Sequence, residues 1–123
     1  MSDAPTTTST ASRTELMRRA IPGAENLEAV MYLLSLPPGA AAPAHRHPGI
    51  GVGYVLEGVY ESQYEGEELK RFTAGDSIYD LAYTPHLIAR NGSTSKPLRF
   101  IMTFIVATGQ PTILPLDERA ASP

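Results

Sequence analysis

The sequence predicts an all-β domain of short antiparallel strands, and two observations carry that prediction. Short apolar runs rich in Val, Ile, Tyr, Phe and Thr follow one another through the chain, and such runs are typical of strands. Turn residues separate the runs about every ten residues, which is the spacing of a β-sandwich or barrel. Because these connections are too short for crossover helices, neighbouring strands are expected to be antiparallel.

The elements follow in order from that pattern. The predicted strands cover residues 27–36, 50–56, 59–64, 69–72, 77–83, 87–90 and 98–107. Between them stand turn-forming groups, Pro37-Pro38-Gly39, Glu57-Gly58, Glu65-Gly66, Ala74-Gly75-Asp76 and Asn91-Gly92-Ser93. Helix is expected only over residues 14–20, where the propensity is favourable but the segment is short.

Domain boundaries follow from composition. Residues 1–13 are mostly Ser, Thr and Ala, and they are predicted to form a flexible tail because they bury too little apolar surface to offset the entropy of ordering. Residues 14–117 are predicted to form one barrel domain, and residues 118–123 a second flexible tail. A chain of 123 residues is long enough for one core.

The overall composition limits the classes of partner that the chain is expected to bind. The net charge is −3 and the ten Lys and Arg residues are scattered, which argues against nucleic acid and favours a small-molecule partner. The absence of cysteine excludes disulfides, thiolate zinc sites and cysteine nucleophiles. The N-terminal sequence is not that of a signal peptide or membrane helix, so we expect a cytoplasmic protein with no membrane contact.

The three histidines are candidate metal ligands. His45 and His47 would share one face of a strand with a rise of roughly 6.6 Å between them, and a barrel can bring His86 across to meet them. Imidazole suits zinc, copper, iron and nickel, and three ligands leave coordination positions open. The alternative is that they are loop residues beside Pro48 and Pro85, and spacing alone leaves the two interpretations equal.

Two segments resemble the motifs of the cupin family. Residues 39–58 carry glycine, His45-Arg46-His47 and a later glycine at the spacing of the first motif, and residues 75–91 carry Gly75-Asp76 and His86 at the spacing of the second. The resemblance implies an antiparallel jelly-roll β-barrel, often a homodimer. It also implies one divalent metal ion inside, Fe, Mn, Zn or Ni, held by the three histidines.

The chain departs from the cupin pattern at two places. The family's glutamate ligand falls at Gly51, and glycines at 51 and 53 predict a substrate pocket beside the metal, with a bulge or barrel corner as the equal alternative. The second motif's asparagine falls at Arg90, with Asn91 one place later. Without a bulge Arg90 points inward and could bind a substrate carboxylate, whereas solvent exposure is the alternative.

Residues near His86 are candidates for acid–base chemistry and substrate contact. Asp80 could be a general base, with Tyr79 beside it as a second catalytic candidate, or Asp80 could be a turn residue. Tyr83 is a candidate substrate contact. The alternative for both tyrosines is packing with the hydroxyl at the barrel rim.

Charge at the predicted centre indicates the kind of substrate. Three neutral imidazoles leave the full dipositive charge on the metal, so an anionic or enolisable substrate is favoured. By resemblance, three-histidine cupins include thiol and diketone dioxygenases, and other cupins are lyases, isomerases and polyketide cyclases. A metal-dependent enzyme, with dioxygenases among the candidates, is therefore predicted; the alternative is a non-catalytic small-ligand-binding or sensor module.

Overall fold

The computed structural model describes residues 11–117, which form ten strands and contain no helix. This confirms the all-β prediction. No helix in this range could therefore cross a membrane. The strands, β1 to β10 in order, are Ser12–Ile21, Ala24–Leu36, His45–Arg46, Gly51–Glu57, Val59–Tyr64, Lys70–Thr73, Ser77–Asp80, His86–Asn91, Leu98–Ala107 and Leu114–Pro115.

Two five-stranded antiparallel sheets form the barrel. The first has the order β1-β2-β9-β4-β7 and the second the order β10-β3-β8-β5-β6. From β2 onward the chain passes repeatedly from one sheet to the other, and only β5 and β6 follow each other within one sheet. Such crossing between two packed antiparallel sheets is the jelly-roll arrangement, as predicted.

Alternation along the strands places the core between the sheets. On β9 every second residue from Leu98 to Val106 is buried, and the residues between them are more exposed. A strand turns successive side chains to opposite faces, so these residues share the inner face. The turns expected at Gly58 and Gly75 need left-handed backbone, and their φ angles are 90° and 98°.

The N-terminal part of the domain differs from prediction. The expected helix over residues 14–20 is instead part of β1, which pairs with β2. Ladder hydrogen bonds to a long neighbouring strand outweigh a weak local helix propensity. Ser12 and Arg13, which fall within the predicted tail, begin this strand. The rest of that tail, except Ala11, and the tail over 118–123 lie outside the described residues.

Candidate metal centre

The three histidines converge in the interior of the barrel. His45 lies on β3 and pairs with His86 on β8, and His47 follows two residues after His45. All three are buried, and one ring nitrogen of each lies within 4.8 Å of the others. The structure thus brings the predicted ligand set together from two adjacent strands and one loop.

Backbone carbonyls fix the tautomers of two of these rings. His45 Nδ1 donates to Pro43 O at 2.7 Å, and His47 Nδ1 donates to Thr112 O at 2.8 Å. Because a carbonyl oxygen only accepts, each Nδ1 carries the hydrogen and each neutral ring presents a lone pair at Nε2. These two Nε2 atoms are 3.2 Å apart. Two facing lone pairs repel, and a cation between them removes that repulsion.

His86 supplies the third nitrogen. Its Nε2 is 2.8 Å from Ser62 Oγ, and its ring stacks on Tyr64 with centroids 4.0 Å apart. Its buried Nδ1 has no hydrogen-bond partner within residues 11–117. A buried, unpaired nitrogen is costly unless something outside the chain satisfies it. The donor set therefore fits a metal ion.

Burial keeps these imidazoles neutral. It lowers the pKa of His47 to about 4 and that of His86 to about 3, and it also lowers the pKa of His45. Burial acts in this direction because a charged imidazolium loses its hydration. Neutral imidazole is the form that binds a metal, so the rings need not release protons near neutral pH.

Asp80 belongs to the same cluster. It is the last residue of β7, it is only 6% exposed, and it faces the histidines from the opposite sheet. Its Oδ2 lies 3.4 Å from His47 Nε2 and its Oδ1 lies 3.8 Å from His86 Nδ1. The Tyr64 hydroxyl donates to Oδ1 at 2.5 Å. Burial raises the pKa of Asp80 to about 6.

A cavity of about 170 Å³ adjoins the cluster. The three histidines and Asp80 form part of its wall, and most of the remaining wall is apolar, including Leu34, Leu36, Ala42, Ala89, Phe100, Met102 and Phe104. Exposed residues on one side, Ala11, Ser12, Arg13 and Ile113, mark where it reaches the surface. A mostly apolar pocket with a few converging polar groups is typical of a small-molecule site.

Arg13 lines the cavity, although the sequence does not mark it as a candidate. Its guanidinium lies 3.7 Å from the centroid of the Tyr32 ring and donates to Thr112 Oγ1. It therefore places a held positive charge at the wall of the cavity. An arginine at the end of a Ser- and Thr-rich segment carries no such signal, because its position depends on the pairing of β1 with β2.

The structure corrects the pocket expected at Gly51 and Gly53. A Cβ at Gly51 would lie 2.6 Å from Cε1 of Phe104, and one at Gly53 would lie 2.3 Å from Sδ of Met102. The space left by the missing side chains is thus filled by β9, the strand beside them. The Phe104 ring, which leans over Gly51, stacks on His47 with centroids 4.7 Å apart. The cavity lies elsewhere, between the histidines and β1.

Tyr79, the catalytic candidate, and Tyr83, the candidate substrate contact, are not among the residues that line the cavity. Tyr79 neighbours inward-facing Asp80 on the same strand, so it points outward, and its hydroxyl donates to Glu67 Oε1 at 3.4 Å. Tyr83 is a turn residue with φ of 64°, and its carbonyl accepts from Arg46 Nη1 at 2.6 Å. Both side chains are about 40% exposed.

A bulge in β8 determines whether Arg90 or Asn91 points into the barrel. Ile88 pairs with Gln63, whereas His86 pairs with Tyr64, so one extra residue, Leu87, interrupts the alternation. Asn91 is consequently buried, and its Nδ2 donates to the carbonyls of Leu36, Pro37 and Lys96. Arg90 faces outward and donates to Glu61 Oε1 at 2.8 Å. Of the two directions open for Arg90, the structure has the outward one, which places its side chain away from the cavity.

Comparison with known proteins gives matches in sequence and in fold. The family model for the cupin domain matches residues 32–104. A curated relative, anti-sigma-E factor ChrR of Cereibacter sphaeroides, is 36% identical over 83 residues, which cover 59% of this chain and 36% of ChrR. The chain thus spans little more than a third of that relative.

Two solved structures are similar in fold. A Klebsiella pneumoniae protein with a double-stranded β-helix domain has a TM-score of 0.68 at 19% identity, covering 94% of this chain and 86% of its own. The polyketide cyclase RemF of Streptomyces resistomycificus has a TM-score of 0.63 at 17% identity, covering 89% of this chain and 73% of its own. At these identities the likeness concerns the fold alone.

Proposed function

The chain belongs to the cupin domain family, and on that premise we propose that it is a metal-dependent enzyme acting on a small anionic or enolisable substrate. In this proposal His45, His47 and His86 hold one divalent ion, Fe, Mn, Zn or Ni. The observation that carries the proposal is the set of three buried ring nitrogens, two with facing lone pairs 3.2 Å apart and one with no partner in the described chain.

The chain's own residues prepare this site. The carbonyls of Pro43 and Thr112 hold two rings with Nε2 directed at the centre, and Phe104 covers one face of His47. Most of the wall around the remaining coordination positions is apolar, which suits a substrate with an apolar body. A bound ion would act as a Lewis acid on a carbonyl or enolate oxygen or, if it were iron, would support dioxygen chemistry.

Arg13 supports an anionic substrate. Its guanidinium shares the cavity wall with the three histidines, and most of the remaining wall is apolar. A guanidinium binds a carboxylate through charge-assisted hydrogen bonds. The substrate that fits best has a small apolar body, an anionic group directed at Arg13, and an oxygen directed at the histidines. Neighbouring Tyr32 keeps the guanidinium in place by stacking against it.

The experiment combines loading of the site with metal and removal of the positive charge of Arg13. Protein loaded with Fe(II) is tested for oxygen uptake on a panel of thiols and diketones, and protein loaded with Zn or Mn is tested for lyase, isomerase and cyclase reactions on enolisable acids. For the substrate found, Arg13→Gln should lower kcat/KM about 10- to 100-fold, the usual value of a hydrogen bond to a charged group. Arg99→Gln, at an exposed ion pair with Glu57, is the matched control.

A sensor function is the second candidate, and the relationship to ChrR favours it. In this alternative the barrel binds a metal or small ligand without turnover and transmits its presence to a protein partner. Tight binding of a panel compound with no product in any metal-loaded form would favour the sensor over the enzyme. An unchanged kcat/KM in Arg13→Gln would overturn the role of Arg13. The cytoplasmic location and the homodimer stay predictions.

A further inference from the structure

We infer that Asp80 is a fourth protein ligand of the ion, supplied from β7 in place of the glutamate that the cupin pattern puts at position 51. The inference rests on the proposed function, because it assumes that the three histidines hold an ion. It gives the site a carboxylate from a strand on which the cupin motifs place no ligand.

Strand pairing explains how Asp80 reaches the centre. Gly51 on β4 has Asp80 of β7 opposite it on one side and Phe104 of β9 on the other. Directly opposed residues point to the same face of a sheet with Cβ atoms about 5 Å apart. A side chain at position 80 therefore points to the same face of the sheet as a side chain at position 51 would.

Phe104 occupies the volume that a ligand side chain at position 51 would need. Its ring atoms would lie 2.6 and 2.8 Å from a Cβ at position 51, so it fills the volume directly over Gly51. Its ring also stacks on His47, which ties it to the cluster. With position 51 covered from the β9 side, the β7 side is the direction from which a carboxylate can approach the histidines.

Distances among the donor atoms support a common ion. His47 Nε2 is 3.2 Å from His45 Nε2 and 3.4 Å from Asp80 Oδ2, and Asp80 Oδ1 is 3.8 Å from His86 Nδ1. Two ligand atoms that each lie about 2.0–2.2 Å from one zinc ion are less than about 4.4 Å apart. These three separations meet that limit, and the carboxylate lies beside the rings of His47 and His86. The nitrogens of the three histidines lie within 4.8 Å of one another.

The carboxylate of Asp80 faces a lone pair, and not a hydrogen, at His47. The hydrogen of neutral His47 is on Nδ1 and is donated to Thr112 O, so Nε2 and Asp80 Oδ2 are both acceptors. His86 Nδ1 has no hydrogen-bond partner in the described chain. The Tyr64 hydroxyl donates to Oδ1, the other oxygen of this carboxylate. A buried carboxylate in such surroundings is balanced by a cation.

The added ligand changes the electrostatics of the site. Three imidazoles and one carboxylate reduce the charge of a divalent centre from +2 to +1, so anion binding depends more on Arg13 than a neutral three-histidine set would require. Asp80 then acts as a positioning and charge-balancing ligand rather than as a free general base. Nitrogen and oxygen donors of this kind suit iron, manganese and zinc.

The test compares Asp80→Asn with the parent protein. Metal-free samples are titrated with Zn²⁺ in competition with a chelator, and separately with Co²⁺ while its visible absorption is recorded. Loss of a ligand should weaken Zn²⁺ binding more than 100-fold, beyond the 10- to 100-fold typical of a residue that only orients a ligand, and should change the Co²⁺ spectrum. Glu28→Gln, a buried carboxylate held by Arg18 and the Gly109 amide, should change neither.

A measurement on the parent protein tests the inference even if the Asp80→Asn variant does not fold. The infrared difference spectrum on adding Zn²⁺ should show a displaced carboxylate stretching band, and no such band would overturn the inference. A Co²⁺ spectrum unchanged by Asp80→Asn would overturn the inference alone. Absence of metal binding in the parent would overturn the proposed function as well, so the two failures are distinguishable.

Discussion

Replacing Gly51 by alanine should destabilise the protein, although alanine is ordinarily better tolerated than glycine within a strand. A Cβ at position 51 would lie 2.6 Å from Cε1 and 2.8 Å from Cδ1 of Phe104, and 3.1 Å from Cε of Met102. Phe104 is 2% exposed and its ring is held against His47. It therefore cannot move away from a new methyl group without losing that stacking.

The sign of the change in stability shows whether the space over Gly51 is filled or empty. Overpacking a core costs about 1–3 kcal/mol, whereas alanine in place of a strand glycine with free space around it gains about 0.5–1 kcal/mol. For a domain of this size, a loss of 1–3 kcal/mol lowers Tm by roughly 4–12 °C. Thermal unfolding of metal-free protein, followed by circular dichroism, measures the shift.

A double-mutant cycle identifies the contact responsible. With leucine at position 104 the ring is gone, and adding Gly51→Ala should cost at least about 1 kcal/mol less than it does in the parent. An unchanged or raised Tm for Gly51→Ala alone would refute the conclusion that Phe104 fills the volume over Gly51.

Two further predictions concern stability. Asn91→Ala should lower the free energy of unfolding by about 1–3 kcal/mol, because buried carbonyls lose their donor. Arg90→Gln at the surface should lower it by less than about 1 kcal/mol. Similar urea midpoints for both variants would contradict the bulge in β8. Metal-free protein should also lose stability between pH 6.5 and 4, because the pKa values of His47 and His86 fall to about 4 and 3 on folding and the unfolded chain alone binds those protons. Asp80 opposes this trend over pH 3.8–6, because its pKa is raised on folding, but it is one group against two. A urea midpoint that rises on acidification would refute the burial of neutral histidines.

Most of the fold follows from local sequence. Alternating burial on β9 and glycines at the turns are short-range signals, and they locate most strands to within a few residues. Strand β1 is different, because most of its residues are exposed and its sequence mixes apolar and charged residues without a strand period. Its state is decided by pairing with β2 and by contacts such as that between Arg18 and Glu28, which no local pattern contains.

The candidate site could also be predicted only in part from local sequence. The three histidines could be predicted because a His-x-His triplet and a second motif place them by spacing. The surroundings of Gly51 and the direction of Arg90 could not, because Phe104 leans across from another strand and the β8 bulge appears only in the pairing with β5. The sequence makes Asp80 a candidate general base, but its position opposite Gly51 depends on strand register.

Elemental analysis tests the central claim most directly. Protein purified without added metal, alongside a His45→Ala/His86→Ala variant prepared in parallel, is analysed for bound Fe, Mn, Zn and Ni. The parent should contain about one equivalent of a divalent ion per chain, and the variant should contain little, because two of its three imidazole ligands are gone. A parent without bound metal, or equal metal in parent and variant, would contradict the claim that these histidines form a metal site.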